Sequence, residues 1–417
     1  MHVVVIGAGA AGLMAAMEAA RNSATVVLLE KNNKTGVKIL MSGGTRCNLT
    51  HNTDARGIAK AFGHAKRFLQ PSLGALPPQA VVELFQSAGV ATKVESTGKI
   101  FPVSNRAVQV RDALHRLAVE AGVDIRTGTG VNKIRRMETG WLLETDQSAI
   151  NADRIIVTTG GKSWPGCGTT GDAYDWMTEL AHTIIRPRPA LVPLVGGERW
   201  MQELSGLVVD DSIATVLPVS GKQKPLTQRR GSLLFTHFGF SGPAAMDVSG
   251  AMTAVDSFDR VRLIVDLVPQ YPEEEVLAAL SNRHDGGRLK VSSVLSMWLP
   301  NRLANGLVTQ LGHDPKIAEL PKNSRIKLIQ QLKGIQLPVH GTRGFDKAEV
   351  TAGGVRLDEV DPRTMESRIH KGLFIAGELL DVDGPIGGYN FQAAFSTGRA
   401  AGIAAAAPKD KLCQLDV

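Results

Sequence analysis

The first thirty residues constrain this chain most. Residues 3–6 are an apolar run, VVVI, that ends in GAGAAG. An alanine-rich stretch over 13–21 follows, and then a second apolar run over 24–30 that closes on Glu30. The pattern predicts a strand, a helix and a strand, with Gly-x-Gly-x-x-Gly at the first turn and an acid at the end of the second strand. Gly7 permits the tight turn, Gly9 lets backbone approach a pyrophosphate, and Gly12 lets the helix lie close on the strand. The helix start, with Ala10 and Ala11, faces the phosphates, and Glu30 accepts from ribose hydroxyls. A dinucleotide is the ligand this arrangement fits.

A second glycine-rich stretch stands far downstream, at 372–398: GLFIAGELLDVDGPIGGYNFQAAFSTG. Alone it looks like a strand, a loop and a helix start. Paired with the first turn it becomes the other half-site of one ligand, and that pairing points to FAD. Gly377 and Glu378 lie at the strand end. Asp381, Asp383, Gly387, Gly388, Tyr389 and Asn390 are expected along the ribityl chain and the pyrimidine edge. Gln392 is expected to open a helix whose N-terminus stabilises negative charge on reduced flavin. The glycines could instead form a tight turn alone, and the tyrosine could merely fill space.

Two further stretches belong to the same expected site. The loop 31–51, KNNKTGVKILMSGGTRCNLTH, is rich in donors, including Lys31 and Lys38. Within it Ser42, Gly43, Gly44 and Thr45 resemble a backbone nest for phosphate or flavin, and Arg46, Cys47 and Asn48 follow at once. The run RIIVT over 154–158 reads as a buried parallel strand. It ends in Thr159, Gly160 and Gly161, small residues that let backbone pass close to a nucleotide. Val131, in the apolar run 130–136, is assigned to the cofactor site as well.

Periodicity predicts helices over 81–87 and 107–121, and a meander of short strands over 123–126, 130–136 and 141–144. Pro187, Pro189 and Pro193 mark a boundary. Beyond it the chain reads as β-rich to about residue 266, then helical over 272–334 (clearest at 273–280, 292–299 and 324–332), then as strands again. The expected fold is α/β: a Rossmann-like FAD-binding domain in two parts, 1–190 and 354–417. Between them stand an inserted β-rich substrate domain, 191–270 with 336–353, and a helical basic subdomain, 271–335.

Composition narrows the class. No apolar run approaches the roughly 20 residues that span a bilayer. The apolar start has no basic n-region, so it reads as mature structure rather than a signal peptide. Cys47, Cys167 and Cys413 are too widely spaced for a disulfide framework or a metal cluster, so a cytoplasmic, metal-free protein is expected. The net charge is +7, and residues 281–345 hold ten Lys/Arg against three acids, a local excess of +7. A second basic run comprises Lys222, Lys224, Arg229 and Arg230. Such runs are either solvated surface or the footprint of a polyanion. On the second reading these four residues, with Arg325 and Lys327, are the candidate RNA contacts.

The strings VVVIGAGAAGLMAA, KILMSGGTRCNLT, TTGGKSWPGCGTTGDAY, ALVPL, LFTHFGFSGP, EVTAGGVRLDEVDPRTMESR and LFIAGELLDVDGPIGGYNFQAAFSTG run in this order from residue 3 to residue 398. They resemble the flavoprotein family of the bile-acid-inducible NAD(P)/FAD-dependent reductases, which also holds the bacterial ribosomal RNA dihydrouridine synthases. In two places the chain departs from that pattern. Thr45 stands where the family usually has Gly, and His51 where it usually has Asn. The resemblance implies a two-part FAD fold of the glutathione-reductase-like kind, with an inserted β-barrel-like domain and a small helical domain. It implies FAD reduced by NADH or NADPH, and reduction of a carbon–carbon double bond conjugated to a carbonyl. A single dinucleotide fingerprint is present, so a nicotinamide cofactor would dock transiently at the flavin face.

Reducing the uracil ring this way leaves an enolate that must be protonated, so a donor is needed near the flavin. Cys47 is the first candidate, since a thiol has a reference pKa of about 8.5; the alternative is a small packing residue. Cys167 ranks lower. His237, in FTHFGFSGP, is the second candidate, as proton donor or ligand to the substrate carbonyl, against a structural histidine. Arg46 would bind a carbonyl oxygen or phosphate, or stabilise its loop. Three functions follow: reduction of a uridine in 23S ribosomal RNA, reduction of small steroid-like enones, or a non-catalytic flavoprotein acting in ribosome assembly.

Overall fold

The computed structural model describes residues 1–221, 224–281 and 287–408. The chain divides into two compact units, Met1–Pro189 with Glu349–Val417, and Ala190–Ala348.

The first unit is built on a five-stranded sheet. Its strand order is Leu373–Ile375, Arg154–Val157, His2–Ile6, Thr25–Glu30 and Asp124–Thr127, all parallel. The central runs VVVI and RIIV are buried at every residue, as a sheet covered on both faces requires. The strand from residue 373 pairs with the one from 154, so the far C-terminal segment completes a sheet that the N-terminus begins. This is a Rossmann-type arrangement. The strand Asp124–Thr127 corrects the sequence reading. It joins the central sheet beside Thr25–Glu30, while the meander comprises Val131–Arg136, Trp141–Thr145 and Ala149–Ala152. Its short, largely exposed pattern is that of an edge strand, which periodicity alone does not separate from a meander strand.

Two helices cross at the heart of this unit. Ala10–Arg21 follows the first turn, and Tyr389–Ala406 ends the described chain. They pack backbone to backbone: a Cβ on Gly398 would lie 2.3 Å from the carbonyl oxygen of Ala11, and one on Gly402 would lie 2.2 Å from that of Ala15. Small residues on both helices are what lets them touch. The donor-rich loop 31–51 contains a short helix, Val37–Met41, and a short strand, Thr50–His51, that pairs with Lys99–Pro102.

The second unit is a seven-stranded sheet. The strands run Ile335–Leu337, Val261–Asp266, Val208–Pro218, Thr227–Thr236, Gly239–Ser241, Leu194–Gly196 and Val339–Thr342. Every assigned pair is antiparallel. Pro338 alone separates the first strand in this order from the last, so the sheet curls until its two edges meet at that residue. A helix that the β-rich pattern concealed, Gly242–Thr253, packs on the sheet through Ala244, Ala245 and Val248, with Pro243 in its first turn. The helices within 273–334 do not form a separate core. Val276, Leu303, Leu307, Leu328 and Leu332 are buried in the same cluster as Leu263 and Val265 of the sheet. Among the described residues no helix is long and apolar enough to cross a membrane.

Candidate cofactor site

At the first turn, Gly7 donates to the Leu29 carbonyl at 2.8 Å, and Glu30 folds back to accept from the Ala8 amide at 2.8 Å and the Asn32 amide at 2.9 Å. Each Glu30 oxygen keeps lone-pair capacity for a hydroxyl. Gly12 admits no side chain, because a Cβ there would sit 1.8 Å from the Gly7 carbonyl oxygen. At Gly9 the opposite holds: a Cβ would meet nothing within 4 Å. Gly9 precedes the helix Ala10–Arg21, and no side chain caps that helix start. The first amides, those of Ala10 and Ala11 included, therefore face open space with the positive end of a helix dipole behind them.

Thr159 lies against this turn, its Cα 3.1 Å from where a Cβ on Gly7 would stand. The Thr159 hydroxyl is buried with no hydrogen-bond partner. An orphaned buried hydroxyl costs about 1–3 kcal/mol unless a ligand satisfies it. The open Gly9 side, the uncapped helix and this hydroxyl all fit the ribose and pyrophosphate of a dinucleotide. Val131 is half-buried nearby in sequence from Thr129, whose amide donates to the Glu30 carbonyl at 2.9 Å. Lys31 is engaged elsewhere, with Nζ 2.5 Å from Asp172 and 2.7 Å from the Thr170 hydroxyl.

A second cluster joins four stretches of chain. Lys38 Nζ donates to Glu378 Oε2 at 2.5 Å and to Ser163 Oγ at 2.6 Å. The Ser163 hydroxyl donates to Glu378 Oε1 at 2.6 Å, and the Thr351 amide donates to the same oxygen at 2.8 Å. The Thr351 hydroxyl in turn accepts from the Lys162 and Ser163 amides. This knot fixes the turn after Thr159, Gly160 and Gly161 against Gly377 and Glu378. Ser163 and Thr351 lie in strings that resemble the family but were not singled out as site residues from sequence.

The C-terminal glycine turn closes on the loop 42–51. Gly388 has φ +90°, and a Cβ there would lie 2.5 Å from the Thr50 carbonyl group, so only glycine fits. Asn48, with its amide turned to satisfy its neighbours, accepts from the Gly388 amide at 3.0 Å and donates to the Thr50 and Ile100 carbonyls. His51 Nδ1 lies 3.1 Å from the Gly387 carbonyl oxygen, and its ring stacks on Tyr389 with centroids 4.9 Å apart. Asn390 clamps the turn from the other side by exchanging two 2.8 Å hydrogen bonds with Gly384. Gly43, Gly44, Thr45 and Cys47 all have positive φ, so the sequence nest is a left-handed turn. Thr45, at φ +68°, stands where the resembling family usually has Gly, and a non-glycine residue there costs about 1–2 kcal/mol. Ser42 Oγ donates to the Ile39 carbonyl.

Several expected roles are corrected here. Cys47 is 0 % exposed, and burial pushes its thiol up to about 12. It packs in the core. Gln392 does not open the helix, which starts at Tyr389. Gln392 is 0 % exposed, accepts from the Thr50 hydroxyl and donates to the Leu76 carbonyl, so it ties the helix to its neighbours. Arg46 stabilises its loop, with Nη1 2.7 Å from Glu95 and its guanidinium 4.0 Å over the Phe101 ring. Asp381 pairs with His64 at 3.2 Å, and that bond raises the His64 pKa to about 9. Burial pushes the Asp383 carboxyl up. Cys167 is also buried, which raises its thiol.

Residues 1–404 match the HI0933-like protein Rossmann domain family. The chain belongs to this family of flavoprotein oxidoreductases. Among its relatives, a 3-dehydro-bile acid delta(4,6)-reductase of Clostridium scindens is 33% identical, over 97% of this chain and 99% of the relative. A ribosomal RNA dihydrouridine synthase of Escherichia coli is 32% identical, over 94% of this chain and 95% of the relative. In fold the chain resembles Mycobacterium smegmatis Sdh1, with a TM-score of 0.50 at 15% identity, over 97% of this chain and 68% of that one.

In the insert of this HI0933-like chain, the expected anion contacts fare unevenly. Lys222 lies outside the described residues. Lys224 and Lys327 are exposed, and Arg229 is half-buried, with Nη1 donating to the Gln228 carbonyl. Arg230 is held by both oxygens of Asp211, at 2.7 and 2.6 Å. Arg325 donates to the Leu320 carbonyl, and its Nε is buried. His237 is exposed on the tight turn between Thr227–Thr236 and Gly239–Ser241, edge-on to Phe238 at 5.1 Å.

Proposed function

We propose that the protein binds FAD in its Rossmann-type unit and, with NADH or NADPH as reductant, reduces the conjugated double bond of a uridine in 23S ribosomal RNA to dihydrouridine. The observation that carries the FAD reading is the orphaned Thr159 hydroxyl beside the open, uncapped Gly9 turn. The amides of Ala10 and Ala11 would hold the pyrophosphate, Glu30 the adenine ribose, and the Gly387–Gly388 turn the flavin end. The reduced flavin would supply a hydride to the uracil ring.

The remaining work belongs to side chains. The Lys38–Glu378–Ser163 knot keeps the strand-end turns in register, so the two half-sites stay aligned. Asn48 and Asn390 hold the Gly388 turn from both sides. Full burial of the Cys47 thiol argues against it as the proton donor for the ring. His237, exposed on its turn, is the donor or carbonyl ligand of choice. Exposed Lys224 and Lys327 support an RNA substrate, as does the similarity to a ribosomal RNA dihydrouridine synthase along nearly the whole chain. Nucleoside mass spectrometry of ribosomal RNA from a strain lacking the gene tests the reading. Loss of dihydrouridine from 23S RNA is expected, and an unchanged content refutes it.

A second reading, reduction of small steroid-like enones, is favoured by the 33% identity to the bile acid reductase and by the internal pairing of Arg230 and Arg325. Rapid mixing of the reduced enzyme with candidate enones or with RNA separates the two by which one reoxidises the flavin.

A further inference from the structure

Three separate motifs of the insert meet at one place on its curled sheet. The strand Leu194–Gly196 comes from the proline-rich boundary, and it lies between Gly239–Ser241 and Val339–Thr342. It holds a residue on each side by backbone. The Gly196 amide donates to the Phe238 carbonyl at 2.9 Å, and the Arg343 amide donates to the Pro193 carbonyl at 3.0 Å. With both main chains pinned to one strand, their side chains stack. The Arg343 guanidinium lies over the Phe238 ring, 4.6 Å from its centroid, and His237 stands edge-on to the same ring.

The state of the arginine is what matters. Arg343 is exposed, and among the described residues no carboxylate pairs with it. Several other arginines of the insert are engaged: Arg230 by Asp211, Arg260 by Asp256, and Arg302 by the Glu203 carbonyl. An arginine flattened on an aromatic ring has lost most of its rotamer freedom, and its fork of N–H donors points outward already oriented. Such a fork matches a phosphate with two hydrogen bonds, and its outer face can take a stacked base. His237 adds a second donor beside it.

We propose that Arg343, Phe238 and His237 form a preorganised binding platform for the phosphate and base of a single-stranded RNA nucleotide. Phe238 fixes the plane, Arg343 grips the phosphate and stacks, and His237 donates alongside. This rests on the RNA reading of the function and names a contact for it that the basic runs of the sequence did not reveal. It also explains how an insert poor in exposed aromatics would hold RNA, since the stacking surface is a guanidinium held by a half-buried ring.

The test is equilibrium binding of a short, labelled, uridine-containing single-stranded RNA to the FAD-loaded full chain, read by fluorescence anisotropy over a range of salt. No reductant is present, so a lost contact and an absent reaction register separately. Arg343→Ala is expected to weaken binding about tenfold and to flatten the salt slope by about 0.7, the value for one phosphate on a single strand. Arg343→Lys keeps the charge and loses the stack, so it should restore the slope but only part of the affinity. Phe238→Leu should weaken binding with the slope unchanged. Arg135→Ala removes an equal charge from the other unit, where Arg135 pairs with Glu144, and should leave affinity as it is. The proposal is overturned if Arg343→Ala binds like the parent, or if Arg135→Ala costs as much. Should Arg343→Ala fail to fold, the Lys and Leu variants decide: parent-like affinity in both overturns the platform.

Discussion

In the Rossmann-type unit the candidate ligand surface is mostly backbone, whereas in the insert it is side chain. Around Gly9, Thr159 and Gly388, the groups that would face a cofactor are amides and a hydroxyl, held by turns that exclude a Cβ at Gly7, Gly12 and Gly388. In the insert, the charges picked out by sequence differ one from another: Arg230 is paired with Asp211, Arg229 and Arg325 donate to carbonyls, and Lys224 and Lys327 are exposed. A backbone site tolerates almost no change at its crowded glycines, Gly7, Gly12 and Gly388. A side-chain site tolerates loss of most charges and depends on the few left unpaired.

The largest effect should come from putting a Cβ on the closed turn. Gly388→Ala forces φ +90° on a residue whose Cβ would lie 2.5 Å from Thr50 backbone. A loss of about 3 kcal/mol or more is expected, with FAD retention lost, measured by denaturant unfolding and by flavin absorbance after gel filtration. The matching change in the insert, Arg230→Ala, should leave stability nearly unchanged, because an exposed ion pair contributes little. Equal losses in the two variants would break the contrast.

Next in size is Lys38→Met, which leaves Glu378 half-buried without its cation. About 2 kcal/mol of stability should go, and adding Glu378→Gln to it should restore part. If the double variant is no better than the single one, the knot is not the reason the strand-end turns stay aligned. Cys47→Ala should cost about 1 kcal/mol as a small core truncation and leave turnover with NADH or NADPH near that of the parent. Collapse of turnover in a folded, flavin-loaded Cys47→Ala would return the thiol to the chemistry.

The smallest effect is the pH dependence of the His64–Asp381 pair. His64 is raised from 6.5 to about 9 in the folded protein, so its stabilisation is full below pH 6.5 and is lost as pH rises through about 9. His64 is half exposed, so solvent screening holds the contribution to about 1 kcal/mol or less. In thermal unfolding the parent should therefore be the more stable of the two at acid and neutral pH, and His64→Asn should converge with it above pH 9. A gap that persists unchanged at high pH would show that the imidazole acts by packing alone.

Much of the first unit was legible in sequence, because its signals are local. An apolar run, a glycine turn and an acid at a strand end each act within a few residues, so Gly7, Gly12 and Glu30 occupy the positions their spacing predicts. The same locality misled at Asp124–Thr127, whose partner strand lies about a hundred residues upstream. It also hid the helix Gly242–Thr253 inside a β-rich stretch. Ser163 and Thr351 lay inside family-like strings, but nothing local gave them a role, and His51 stood out only as a departure from the family pattern.

Sequence alone determined where backbone must turn tightly and which runs must be buried, because those demands are written in the residues themselves. Only the tertiary structure decided which polar groups remain free. The partner of Lys38 lies 340 residues away, and that of Gln392 lies 342 residues away. Cys47 lost its accessibility to side chains packed around it from distant segments. Arg343 stayed unpaired because the strand at 194–196 sets it on Phe238 rather than beside an acid. Availability is a property of neighbours, and neighbours so distant in the chain meet only when it folds.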